Sequence, residues 1–97
     1  MPIAPSPKLT ITVAGGTGET DLACSSWVEG IGIIAPVNAP HFDFEAYDGD
    51  GHLIAAASNI TAKITKLEVD GKATGTCRFI ILNAVDNGAY QLKIHAI

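Results

Sequence analysis

The chain has 97 residues, a formal net charge of −4, 47% hydrophobic residues and 16% charged residues. That length fits one domain with a single two-layer core. The acid excess argues against a nucleic-acid surface, and no apolar run approaches the roughly 18 residues of a membrane-spanning helix.

The charged fraction lies below the roughly 25% usual for a soluble domain. In a small domain with much surface to cover, this leaves apolar surface over and points to self-association. The competing reading is a monomer rich in Ala, Gly, Ser and Thr. Charge is also uneven along the chain. Lys8 stands against Glu19, Asp21, Glu29, Asp43, Glu45, Asp48 and Asp50 in residues 1–50, whereas Lys63, Lys66, Lys72, Arg78 and Lys93 outnumber Glu68, Asp70 and Asp86 in the rest. Folding either intermixes the two sets or leaves patches of opposite sign that favour head-to-tail contact.

Met1 to Lys8 lacks an apolar signal-peptide region, so synthesis in the cytoplasm is expected, with a virion or another extracellular particle as a possible destination. Pro2, Pro5 and Pro7 alternate with smaller or apolar residues, which predicts an extended arm over 1–7. Such an arm either frays or reaches onto a neighbouring subunit through Pro2, Ile3, Pro5 and Pro7. The domain proper is 8–97.

Lys8–Val13 alternates strictly, with Leu9, Ile11 and Val13 directed to a core. Residues 14–20 follow as a glycine-rich loop. A strand followed by glycines superficially resembles a phosphate-binding turn. Gly15 and Gly18 fill two of its positions, but Asp21 stands at the third and no helical periodicity follows. Asp21–Val28 reads as a strand holding Trp27, the only tryptophan, as a core anchor or an exposed platform. Gly30–Ala35 is an extended piece loosened by glycines, and Pro36–Pro40 is a loop.

His41–Tyr47 alternates with Phe42, Phe44 and Ala46 inward. Asp48–Gly51 turns the chain, and His52–Ala57 returns as the partner strand. Asn59–Val69 is strand-like, but its inward parity changes between Ile64 and Leu67, which predicts a bulge or break there. Asp70–Lys72 is a turn. Gly75–Leu82 and Gly88–Ile97, joined through Asp86-Asn87-Gly88, read as a hairpin. Both faces of Phe79–Leu82 are apolar, so that strand is expected to be covered twice, by the core and by a partner or the arm. The pattern contains no helix beyond about one turn and predicts an all-β, single-domain antiparallel β-sandwich of seven or eight strands, with a small β-barrel or jelly roll as the alternative.

Leu22-Ala23-Cys24-Ser25-Ser26-Trp27 resembles the second strand of fibronectin type III and immunoglobulin-like sandwiches. Phe79-Ile80-Ile81-Leu82-Asn83-Ala84-Val85-Asp86-Asn87-Gly88 resembles the penultimate strand and turn of the same group. The chain departs from that pattern in three places. Cys77 stands near the usual tyrosine, the Leu67–Cys77 segment is long, and Cys24 lies only three residues before Trp27. The resemblance implies a spacer, adhesion or assembly module and carries over no catalytic residue.

Several clusters invite chemistry. Asp48, Asp50 and their glycines, with Asp43 and Glu45 nearby, offer oxygens to a hard cation, but Ala46 occupies the position where a calcium loop needs its first aspartate. A plain Asp-Gly turn is the simpler reading. His41, His52 and His95 lie on separate strands without short-spaced ligand partners, although His41 and His52 flank one hairpin. Cys24 and Cys77 read as reduced thiols, with a disulfide open if their strands face each other. No local arrangement gives either cysteine, or a serine, a base and an orienting group. The sequon at Asn59-Ile60-Thr61 matters only to a secreted chain.

The expectation is therefore a non-enzymatic structural or assembly module acting by protein–protein contact as a homo-oligomer or within a larger assembly. No cofactor or metal and no nucleic-acid or membrane partner is expected. The alternative is a carbohydrate- or peptide-binding module using Trp27, Tyr47, Asp48 and Asp50.

Overall fold

A computed structural model describes residues 8–24, 28–69 and 75–96. The proline arm, Trp27 and the Asp70–Lys72 turn lie outside the described residues. Eight strands run in order: β1 (Lys8–Val13), β2 (Gly18–Cys24), β3 (Val28–Ile34), β4 (Phe42–Tyr47), β5 (Leu53–Ile60), β6 (Ile64–Glu68), β7 (Gly75–Leu82) and β8 (Gly88–Ala96). They form two antiparallel four-stranded sheets, β1-β8-β3-β6 and β2-β7-β4-β5. The fold is a β-sandwich, and no helix occurs among the described residues.

The pairing follows one rule. β1 pairs with β8, β2 with β7, β3 with β6 and β4 with β5. That is the path of a long hairpin with its tip at the β4–β5 turn, rolled so that alternate rungs fall in opposite sheets. This is jelly-roll winding. An immunoglobulin domain instead keeps its first two strands side by side and its last two in one sheet. The local strand likenesses to that group therefore do not extend to the connections.

The expected hairpin from Gly75 to the C-terminus is corrected by this order. β7 and β8 lie in opposite sheets, and residues 83–87 arch between them. The Asn-Gly signal marks a change of direction, but it does not fix which sheet receives the next strand. Two side-chain hydrogen bonds hold the arch, in which Asn83 takes a left-handed φ of 52°. Its side-chain amide donates to Asp43 Oδ2 at 2.9 Å, and the Tyr90 hydroxyl donates to the Asp86 carbonyl at 2.8 Å.

Two smaller expectations also change. The loop over 14–20 shrinks to a turn closed by Ala14 and Thr17, because β2 already begins at Gly18. The parity conflict in 59–69 is resolved by a break at Thr61–Lys63 between β5 and β6, so Ile64 points outward, 65% exposed, while Leu67 packs inward.

The core lies between the sheets. One sheet contributes Ile11, Val13, Ile31, Ile33, Tyr90, Leu92 and Ile94, and the other contributes Phe42, Phe44, Ala46, Ile54, Cys77, Phe79 and Ile81. The strict alternation of β1 and β4 supplies these inward rows. The Phe42 and Tyr90 rings meet edge to face across the sandwich at 5.0 Å and 72°. Such a contact adds about 0.5–1.5 kcal/mol to the burial itself.

Candidate functional site

The Asp48–Gly51 turn and the strands beside it form a cleft of about 560 Å³ at one end of the β2-β7-β4-β5 sheet. Its floor is a cross-strand row. Arg78 on β7 stands between Asp21 on β2 and Tyr47 on β4. Asp48, Gly49, Gly51 and Thr76 complete the lining.

Asp48 fixes the turn. Its carboxylate is nearly buried, and Oδ1 accepts from the amides of Asp50 and His52, both at 2.9 Å. The Gly51 amide donates to the Asp48 carbonyl at 3.1 Å, and Gly51 takes a φ of 82° that suits glycine. Those amide bonds, led by the one from His52, hold the Asp48 carboxyl below the usual aspartate range. The His52 ring lies 3.6 Å from Oδ2 and is mostly exposed. Desolvation, and after it the Glu45 carboxylate, pushes the Tyr47 phenol upward. Arg78 Nε lies 3.7 Å from Glu19, with both side chains over half exposed, so the pair adds little stability.

The structure brings together two of the predicted binding residues, Tyr47 and Asp48, with Asp50 on the same turn. It adds Asp21, Thr76 and Arg78, which reach the cleft only through the β2–β7 and β7–β4 ladders. A phenol, two carboxylates and a guanidinium in one cleft can hydrogen-bond a polar ligand.

Asp48, Asp50 and His52 place ligand atoms within 4.8 Å of one another. Asp48 Oδ1 is used by two amides of the turn, and Oδ2 faces His52 Nδ1 at 3.6 Å, so the carboxylate serves to close the turn. Asp43 is not part of it. Asp43 Oδ1 accepts from the Asn59 amide at 2.9 Å, and its other oxygen holds Asn83. Asn59 and Asn83 both have left-handed backbones, with φ of 54° and 52°. Asp43 therefore pins the β5 irregularity to the β7–β8 arch, and these bonds lower its pKa. The histidines do not converge. His41 and His52 sit at opposite ends of β4, and His95 lies on the other sheet.

A second surface was not expected from sequence. On the outer face of β1-β8-β3-β6, Gly30 and Gly32 leave a trough of about 400 Å³ between β6 and β8, bordered by Glu29, Lys66, Glu68 and His95. The detectable signal was glycine at alternate positions of one strand, which strips a single face of side chains.

The outer faces differ in charge. One carries Lys8, Lys66 and Lys93 with Glu68, and with Glu29 at the trough, and the other Glu19, Asp21, Asp43 and Glu45 with Arg78. Folding thus sorts most of this charge by sheet. No protein-family model and no curated protein sequence matches this chain, so the reading of these surfaces rests on their own geometry and chemistry.

Proposed function

We propose that this chain is a non-enzymatic structural module that works by protein–protein contact in a larger assembly, such as a virion decoration or tail component or a surface appendage. The observation that carries this reading is apolar surface outside both sheets. Ile34 and Ile64 are paired across β3 and β6 and are 41% and 65% exposed. On the opposite sheet, Leu53 on β5 is exposed, and Ile80 and Leu82 face away from the core and keep part of their surface open. A sheet with one wet face normally alternates apolar and polar residues. Jelly-roll sandwiches serve in capsids and in lectins, and that analogy of fold is compatible with either role. Light scattering over a concentration series at two salt levels tests the proposal. A salt-sensitive rise in mass supports it, and a constant monomer mass at high concentration refutes self-assembly.

The second reading is a carbohydrate- or peptide-binding module. It is favoured by the cleft in which Tyr47, Arg78 and Asp21 stand in one row beside a rigid turn. Titration with oligosaccharides or short peptides, followed by backbone amide shifts, tests it. Shifts centred on Asp48–Gly51 and lost in Tyr47→Ala support binding there.

A further inference from the structure

Gly32 has no folding reason to be glycine. Its φ lies outside the left-handed region, and an added Cβ would meet Lys93 Cβ at 3.7 Å and its carbonyl oxygen at 3.8 Å, ordinary contacts. Gly32 stands between Lys66 on β6 and Lys93 on β8, and Lys93 in turn faces Lys8 on β1. Two lysines directly opposite each other repel within an isolated sheet. An empty strand position beside two lysines that face each other is a local cost in the monomer.

The other sheet carries the matching relief. Ile80 on β7 stands between Glu19 on β2 and Glu45 on β4. One row is therefore Lys-Gly-Lys and the other Glu-Ile-Glu. In both, the charged residues are two strand spacings apart, about 10 Å. The match extends along the central strands. β3 presents Gly30, Gly32 and Ile34 outward, and β7 presents Arg78, Ile80 and Leu82. Laid in the same direction, Arg78 falls over Gly30 beside Glu68, Ile80 over Gly32, and Leu82 over Ile34. The reversed direction sets Arg78 on Ile34.

We propose that the partner of this face is a second copy of the chain, with the β7 ridge of one copy seated in the β3 trough of the next, Glu19 and Glu45 meeting Lys66 and Lys93. This rests on the assembly reading above and specifies its interface. The contact is heterologous, so it generates a stack or a ring. The sheets would lie about 10 Å apart, as packed sheets do. Glu19 exchanges its exposed pairing with Arg78 for a lysine of the neighbour, and Arg78 gains Glu68.

Sedimentation velocity on the full chain tests this with three variants. Gly32→Val fills the trough. Lys66→Glu/Lys93→Glu makes both outer faces acidic, and Glu19→Lys/Glu45→Lys reverses the other face. Each is expected to weaken self-association about tenfold or more, since juxtaposed like charges or a steric block remove the contact. An equimolar mixture of the two charge variants should associate again, which unfolded variants would not do. Circular dichroism confirms that Gly32→Val retains its β-sheet spectrum. Association of the wild type that survives all three variants overturns this arrangement and leaves the assembly reading standing. A wild type that stays monomeric at every concentration overturns this inference and self-assembly together.

Discussion

Gly18 and Gly32 make a controlled pair, because both are strand glycines with ordinary φ and their surroundings differ. Gly18 opens β2, where the chain enters the opposite sheet. A Cβ there would lie 2.5 Å from the Thr12 carbonyl oxygen and 2.8 Å from Ile11 Cγ2. Thr12 is held in the ladder opposite Ala89, so the oxygen cannot step aside without disturbing that pairing. Overpacking of this kind costs about 1–3 kcal/mol, partly offset by about 0.4–1 kcal/mol from a less flexible unfolded chain. Gly18→Ala should therefore lose roughly 1.3 kcal/mol, about 5–10 °C in Tm for a domain of this size. Gly32→Ala meets only ordinary contacts. It should keep the entropic gain and raise Tm by a few degrees, about 2–8 °C. Thermal unfolding of both variants by circular dichroism, at a dilution where the chain is monomeric, decides the matter. Equal losses at the two sites, or a stable Gly18→Ala, would refute the reasoning from close approach.

Other outcomes follow from the same packing. Phe42→Ala removes a fully buried ring that contacts Tyr90 and should cost about 3–5 kcal/mol in urea unfolding. Thr65 has a buried hydroxyl oxygen with no hydrogen-bond partner, so Thr65→Val should raise stability by about 1 kcal/mol in the same assay. Asp43 and Asp48 have lowered pKa values in the folded chain, chiefly through backbone amides. Their contribution is complete above the ordinary aspartate value of 3.8 and is lost as pH falls through the lowered folded values. The double variant Asp43→Asn/Asp48→Asn should be less stable at neutral pH, with a shallower decline on acid titration. Millimolar calcium or EDTA should move Tm by less than about 1 °C, because the Asp48 carboxylate is engaged by the turn. A larger shift in differential scanning fluorimetry would make Asp48, Asp50 and His52 a cation site.

Much of the fold was legible where a strand has one wet face and one buried face. Lys8–Val13 and Phe42–Tyr47 alternate cleanly, and their inward residues are the core. The Asp48–Gly51 turn was legible for a different reason, because Asp and Gly there do local work that needs no distant partner. What was hidden is long-range pairing. Asn87-Gly88 signals reversal equally well for a hairpin and for an arch between sheets, and only the competition of β1 and β2 for β8 and β7 separates the two. Half of the cleft was hidden for the same reason, since Asp21 and Arg78 become neighbours through that competition.

Glycine shows the limit most clearly. In the sequence, Gly18 reads as part of a flexible loop, Gly30 and Gly32 as loosening one strand, and Gly51 as part of a turn. Folded, they separate by cause. Gly51 is required by its backbone angle, and Gly18 by a carbonyl that leaves no room for a methyl group. Gly30 is intermediate, with the Leu67 carbonyl 3.2 Å from where its Cβ would stand. Gly32 has neither reason, and it lies on the outer face in the middle of the lysine row. Conformational entropy alone makes such a glycine unfavourable in a strand. The self-contact proposed above supplies a reason outside the monomer, because the β7 strand of a second copy would need the space of a side chain there.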